Sequence, residues 1–375
     1  MKCTPCQEVD SGGTLDGGLS RRDFMKFCTA AAVAMGLDAS VGAKFAEAAA
    51  AKRLPVIWIS AQECTGCTES LLRATHPTLE NLILELISLE YHETLQAGCG
   101  KQANDALDAA IAAGGYVLVA DGAFPTKDGG IYCKINGEPV IDLLARAGKN
   151  AAACIAIGSC SSWGGMPSAD PNPTGASPAS AIFKMKGLDK LPVMSIPGCP
   201  PNPYNFLSAV LYFVTFGKLP ELDDKGRPKF AYGRLIHENC ERRAHFDAGR
   251  FAEKFGDDNH RQGYCLYKLG CKGPETYNNC STLKFGDVGV GSWPVGMGAP
   301  CFGCSEKGVG FTVPLHSPAR LVNVTPPAFF PNVAAEKGGG VSAGAAAVAA
   351  AVVGAVVGAG LATSKQVGKA EEDKK

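Results

Sequence analysis

Six cysteines lie between positions 240 and 304, in a stretch otherwise rich in glycine, proline and aromatic residues. The stretch has little helical or strand periodicity, so side-chain packing alone offers it few ways to build a core. We therefore expect it to be cross-linked through its thiols, by disulfides, by zinc or by iron–sulfur clusters. The six are Cys240, Cys265, Cys271, Cys280, Cys301 and Cys304, and His237 lies three positions before the first.

Length and composition describe an ordinary globular protein with an unusual number of thiols. The 375 residues suffice for about two domains, and 46% are apolar and 19% charged. The formal net charge of +0 argues against a nucleic-acid-binding surface, since no basic excess exists to replace phosphate counterions. The 16 cysteines indicate disulfides in an exported protein or metal sites in a cytosolic one.

Residues 1–51 have the pattern of a twin-arginine signal peptide. Arg21 and Arg22 precede a weakly apolar run at 27–37, and an alanine-rich stretch at 47–51 offers a cleavage site. The alternative is a chance arginine pair in a disordered tail. Export by this route predicts a protein that crosses the membrane already folded.

Residues 52–220 alternate between apolar strands and helical patterns. This alternation predicts an α/β domain with a doubly wound parallel sheet. Strands are predicted at 54–59, 116–120, 153–157 and 192–196, and helices at 68–75, 78–91, 101–113, 138–148 and 204–216.

Four cysteines of this domain directly follow predicted strands. Cys64 and Cys67 follow the first, Cys160 the third and Cys199 the fourth. Ligands of open α/β sheets bind at the carboxyl ends of the strands, so these thiols should converge there. By number they suit zinc and a [4Fe–4S] cluster equally, but one close pair with two distant single cysteines favours iron–sulfur.

Residues 221–325 form a second, irregular domain with two further sets of ligands. The first set is His237, Cys240, Cys265 and Cys271, and the second is Cys280, Cys301 and Cys304. Three thiols neither complete a zinc site nor pair as disulfides, but they fit a cluster that lacks one iron. Of the remaining cysteines, Cys154 is predicted to be a small core residue, and Cys99 and Cys133 are either paired or free.

The C-terminal region carries no charge between positions 338 and 364. A membrane-spanning helix takes roughly 20 residues, so this stretch predicts a transmembrane helix followed by a charged tail at 365–375. Its alanine, glycine and valine composition is only weakly hydrophobic, and the alternative is a flexible tail.

Several motifs resemble those of a known family. They are Glu63-Cys64-Thr-Gly-Cys67, Gly158-Ser-Cys160, Pro197-Gly-Cys199-Pro-Pro-Asn-Pro203 and the cysteine region at 231–304. Together they resemble the small subunit of a membrane-bound [NiFe] uptake hydrogenase of the hydrogenase-2 type. The resemblance implies a flavodoxin-like doubly wound sheet domain, an irregular iron–sulfur cluster domain and a C-terminal transmembrane helix.

The resemblance also implies three clusters and their ligands. Cys64, Cys67, Cys160 and Cys199 match the ligands of a proximal [4Fe–4S] cluster. His237, Cys240, Cys265 and Cys271 match those of a distal [4Fe–4S] cluster. Cys280, Cys301 and Cys304 match those of a medial [3Fe–4S] cluster, and Pro294 stands where relatives with a four-iron medial cluster carry a cysteine. Asp121 stands where many relatives have glutamate.

The function implied is electron transfer between a dihydrogen site on a partner large subunit and a quinone-linked membrane acceptor. The implied partners are that large subunit, in a heterodimer or a dimer of heterodimers, a ferredoxin-like subunit and an integral-membrane quinone-reactive subunit. The implied location is the periplasmic side of the inner membrane. The alternative functions are an iron–sulfur quinone-reductase subunit of the complex I type and a non-redox protein with disulfides or zinc.

Overall fold

The computed structural model of the chain describes residues 21–51, 53–74, 87–285 and 292–322. All of them lie in one compact unit. The predicted transmembrane helix at 338–364 and the tail at 365–375 lie outside the described residues. None of the helices in the described part of the chain has the length and hydrophobicity needed to cross a bilayer. The predicted division into domains at residue 220 stays a prediction.

A five-stranded parallel sheet forms the centre of the molecule. Its strands are β1 (Leu54–Ser60), β2 (Ile87–His92), β3 (Val117–Asp121), β7 (Ala153–Ile157) and β9 (Val193–Ile196). They are arranged in the order β2-β1-β3-β7-β9, the order of flavodoxin-like sheets. Two short antiparallel pairs lie outside it: β4 (Phe124–Pro125) with β8 (Ala176–Ser177), and β5 (Lys134–Ile135) with β6 (Glu138–Pro139).

Helices cover both faces of the sheet, as a doubly wound fold requires. One face buries Trp58 against Phe206, and the other buries Leu118 with Leu144. The α-helices of this part of the chain are Gly66–Leu72, Gly100–Ala113, Val140–Gly148, Gly158–Trp163, Ala179–Met185 and Pro203–Phe216, with short 3₁₀ turns at Lys127–Gly130 and Met166–Ser168. The prediction of an α/β fold with a parallel sheet is confirmed.

One predicted helix is wrong over the part of it that the structure describes. The apolar spacing predicts a helix over 78–91, but Ile87–His92 is the edge strand β2, and 78–86 lie outside the described residues. Ile87 and Leu89 pair with Leu54 and Val56 of β1. Leu89 fits a helical period and a strand alternation equally well, and only pairing with a distant strand separates the two.

Two helices lie between residues 21 and 51. Helices Arg21–Ala34 and Val41–Ala51 bury Cys28 and Phe45 in the same core as the helix Pro203–Phe216. The ring of Phe45 meets that of Phe216 edge-on, with centroids 6.0 Å apart. Residues 21–51 therefore contribute to the core of the described chain, while the role of residues 1–51 as a signal peptide stays a prediction.

Residues after 220 form short elements around a third core. The α-helices are Lys229–Tyr232, Arg243–Asp247 and Asp258–Arg261, and the 3₁₀ turns are Ile236–Asn239, Tyr267–Leu269 and Gly273–Glu275. Their core packs Ile236, Leu266 and Trp293 around cysteines. Asn202 Nδ2 donates a hydrogen bond to the carbonyl of Leu283 at 2.6 Å and so ties this region to the sheet domain. The predicted lack of long regular elements is confirmed.

Candidate functional site

Four thiols meet beyond the carboxyl ends of three parallel strands. Cys64 and Cys67 follow β1, Cys160 lies in the short helix after β7, and Cys199 follows β9. Cys67 interacts electrostatically with Cys160 and Cys199, and Cys160 with Cys64. The structure thus brings together the four residues predicted for the proximal set.

Glycines let the backbone approach these thiols closely. Gly158 has φ +78°, and a Cβ there would lie 2.5 Å from the Cys67 Sγ. Ser159, next in the chain, accepts a hydrogen bond from the Gly198 N–H at 3.1 Å and donates one to the Cys304 carbonyl at 2.7 Å. Ser159 therefore connects two loops that carry proximal cysteines to the segment that carries Cys304 of the medial set.

A buried carboxyl group lies beside the proximal thiols. Asp121, the last residue of β3, has no exposed surface, and burial raises its pKa to about 7, with a further contribution from Glu63. Burial also raises the pKa of Cys67 well above its usual value, and Asp121 raises it further. Neither carboxylate oxygen accepts a hydrogen bond of standard geometry. Because Asp121 directly follows the strand predicted at 116–120, its place at this sheet edge could have been read from the sequence.

The four residues of the distal set line a single cavity. His237 is 5% exposed, and its Nε2 has no hydrogen-bond partner. Burial lowers the pKa of this imidazole to about 4, which favours its neutral, metal-binding form. Burial also raises the pKa of Cys240 to about 11 and that of Cys265 to about 12.

The three cysteines of the medial set line another cavity. Cys199 of the proximal set lies in the same wall, and so does Pro294. Cys280 and Cys301 are buried, and burial raises the pKa of both thiols above their usual value. Pro294 therefore lines the same cavity as the medial thiols, and its correspondence to a ligand position of relatives stays a prediction.

The chemistry of these donors fits iron–sulfur clusters. Every cysteine in the described part of the chain is free, so none of those thiols is spent in a disulfide. No three His, Cys, Asp or Glu side chains of the described ranges lie close enough to hold a single metal ion. Crowded, buried thiols resist ionisation unless a cation binds them. The His237 Nε2 has no hydrogen-bond partner and is therefore available as a ligand atom.

The remaining cysteines outside the N-terminal segment lie apart from these sets. Cys154 is fully buried in β7, which confirms its prediction as a core residue. Cys99 is exposed and Cys133 half-buried, and both are free.

Comparisons with known proteins identify the family. Residues 232–315 match the family described as the C-terminal part of the NiFe/NiFeSe hydrogenase small subunit, and residues 64–213 match NADH ubiquinone oxidoreductase, 20 Kd subunit. The chain is 59% identical to the Hydrogenase-2 small chain of Escherichia coli K12 over 330 residues, 87% of each chain. The chain belongs to the [NiFe] hydrogenase small-subunit family.

Other small subunits support this assignment. The periplasmic [NiFe] hydrogenase small subunit of Solidesulfovibrio fructosivorans is 47% identical over 78% of this chain and 90% of its own. The [NiFeSe]-hydrogenase structure from Dm. baculatum has a TM-score of 0.65 at 34% identity and covers 72% of this chain and 100% of its own. That from Desulfovibrio vulgaris Hildenborough has a TM-score of 0.62 at 36% identity, covering 68% and 94%.

This hydrogenase small subunit is an iron–sulfur electron-transfer protein that pairs with a large subunit. The first domain alone also matches the complex I type of subunit, but the second-domain match and the full-length relatives favour hydrogenase over that alternative. The resemblance read from the motifs is therefore confirmed.

Proposed function

We propose that the three donor sets hold three iron–sulfur clusters in a row and that this row is the electron path of the subunit. Cys64, Cys67, Cys160 and Cys199 hold the proximal [4Fe–4S]. Cys280, Cys301 and Cys304 hold the medial [3Fe–4S]. His237, Cys240, Cys265 and Cys271 hold the distal [4Fe–4S]. When bound, such clusters accept and donate single electrons.

Contact between neighbouring sets is the observation that carries this proposal. Cys304 of the medial set interacts electrostatically with Cys199 of the proximal set. At the other side of the medial set, the Cys301 N–H donates to the Cys271 Sγ of the distal set at 3.4 Å. These two contacts support the order proximal, medial, distal, because electron transfer requires short steps between sites.

We further propose the setting in which this path works. The dihydrogen site is on the large subunit, which docks at the sheet edge near the proximal set, and the distal end passes electrons to a ferredoxin-like subunit and a quinone-reactive membrane subunit. Residues 1–51 direct twin-arginine export, and 338–364 anchor the subunit on the periplasmic side of the inner membrane. The arginine pair, the uncharged stretch and the similarity to the Hydrogenase-2 small chain support this setting.

Metal analysis of the purified heterodimer tests the cluster assignment. We expect about eleven iron atoms in the small subunit, as two four-iron and one three-iron clusters, besides the iron of the large subunit. We also expect brown absorbance that bleaches on reduction and an EPR signal from the oxidised three-iron cluster. A preparation with zinc at these sites and no iron–sulfur absorbance would contradict the proposal.

A single methyl group at Gly158 should remove the proximal cluster. In Gly158→Ala the new Cβ would lie 2.5 Å from the Cys67 Sγ, so the ligand has to move. We expect the iron content of the small subunit to fall by about four atoms, with the medial EPR signal retained.

Gly187→Ala is the matched control for this variant. Gly187 also has a positive φ, +71°, but a Cβ there would meet nothing within 4 Å. It carries the same backbone strain, of about 1 kcal/mol, and should keep its full iron content. Equal iron loss in both variants would show that strain, and not the thiol contact, is responsible.

A further inference from the structure

Lys272 is a buried cation enclosed by oxygen atoms. The residue is 1% exposed. Its Nζ donates hydrogen bonds to the carbonyls of Gly270 at 3.2 Å and Leu315 at 3.4 Å, to the Ser317 hydroxyl at 3.1 Å, and also to the carbonyls of Pro314 and Ser317. An ammonium has donors and no acceptor, so a cage of acceptors fits its charged form.

This ammonium lies between the distal and medial donor sets. Lys272 follows Cys271 in the chain, and its backbone N–H donates to the carbonyl of Cys301 at 2.6 Å. Its charge interacts with both thiols. Burial lowers the pKa of Lys272, while Glu275 acts in the opposite direction. That glutamate also faces Arg320, at 3.5 Å, so its charge is shared between two cations.

A second buried cation belongs to the distal site alone. Arg242 donates from Nε to the carbonyl of Val295 and from Nη1 to that of Tyr264, each at 2.9 Å. It lines the distal cavity and lowers the pKa of Cys240 and Cys265, while the exposed Glu241 acts in the opposite direction on Cys240.

The proximal set has charged neighbours of the opposite sign. The charged side chain that raises the pKa of Cys67 and Cys160 is Asp121, and Glu63 interacts with Asp121 in turn. The buried charged groups therefore differ between the two ends of the row of thiols: a carboxyl group lies at the sheet edge, and cations lie at the far end.

We propose that Lys272, supported by Arg242, is a fixed positive charge that raises the reduction potentials of the groups at the medial and distal sets relative to the proximal one. This inference rests on the proposed function. Reduction adds negative charge, and a cation in a poorly solvated interior stabilises it far more than an exposed cation does. The charge thus draws electrons from the sheet edge toward the distal end.

Redox titration of the Lys272→Met heterodimer, followed by EPR, tests the proposal. At a fixed applied potential we expect the ratio of reduced to oxidised medial cluster to fall about tenfold, which corresponds to 59 mV for a one-electron couple. The distal cluster should shift in the same direction. The proximal cluster should keep its wild-type ratio.

Lys268→Met is the matched control. Lys268 belongs to the same segment, but it is half exposed and pairs with Glu253 at 2.5 Å in solvent. The Lys268→Met variant removes the same charge and should leave all three reduction potentials unchanged, because water and salt screen the charge of Lys268. Unchanged medial and distal potentials in Lys272→Met would overturn the inference, and so would an equal shift in Lys268→Met.

Two further variants serve the case in which Lys272→Met fails to assemble its clusters. Lys272→Gln keeps hydrogen-bond donors for the carbonyl cage and removes the charge, and Arg242→Gln does the same at the distal site. If Lys272→Met loses its clusters, the potentials of these variants decide: lowered potentials support the inference and wild-type ones overturn it. A wild-type protein without iron–sulfur signals would instead contradict the proposed function itself, so the two failures are distinguishable.

Discussion

Replacing Cys280 by serine is expected to abolish the EPR signal of the oxidised three-iron cluster. Cys280 is one of three thiols in the medial set and is only 6% exposed, so water cannot reach in to replace the lost thiolate. A serine oxygen is a harder and more weakly acidic ligand than sulfur and suits iron–sulfur clusters poorly. We expect a loss of about three iron atoms, measured by metal analysis beside the EPR spectrum.

Cys133→Ser is the control for the medial variant. Cys133 is half-buried, free and outside all three donor sets, so its replacement should leave both the signal and the iron content at wild-type values. The proximal and distal clusters of Cys280→Ser should also remain, since their ligands are untouched. A three-iron signal that survives in Cys280→Ser would remove this residue from the medial set.

Replacing Arg227 by methionine should lower the free energy of unfolding by about 3 kcal/mol. Arg227 is 3% exposed and bonds Asp223 through Nε and Glu306 through Nη1, each at 2.7 Å. Glu306 is equally buried and lies two residues after Cys304. Without Arg227, both carboxylates lose a partner, and the buried Glu306 is left with the partly exposed Lys225 as its cation. The measurement is the thermal unfolding midpoint of the purified heterodimer, with variant and wild type scanned at the same rate.

Two further variants test whether the buried charge causes the loss of stability. Lys229→Met breaks an exposed pair with Glu221 and should leave the midpoint unchanged. The double variant Arg227→Met with Glu306→Gln should be more stable than Arg227→Met alone, because it no longer buries a carboxylate that has lost its buried cation. A double variant as unstable as the single one would show that lost packing, and not the stranded charge, accounts for the effect.

The chemistry-bearing residues were accessible from the sequence because their positions follow simple rules. Cys64, Cys160 and Cys199 each come directly after a short apolar strand, and parallel strands end at one edge. The strand β7 is predicted with its observed ends, Ala153–Ile157. Asp121 follows the same rule, and its place beside Cys67 could have been inferred as well.

The elements that the sequence did not predict correctly share one physical feature. The apolar spacing in residues 78–91 suits a helix, yet Ile87–His92 pairs along β1, and that pairing involves residues 54–58. The helices of residues 21–51 are stabilised by packing in the same core as the helix Pro203–Phe216. In both cases the deciding partner is distant in sequence, and no local pattern contains it.

The sequence by itself determined the family and the parallel sheet and supported the prediction of three donor sets, because strand ends and cysteine spacing are local properties. Only the tertiary structure decided which charges surround those donors. Lys272 is an ordinary lysine in the sequence and becomes a buried cation because residues 314–317 fold over it. Burial and electrostatic surroundings depend on contacts between distant segments, and those exist only in the folded chain.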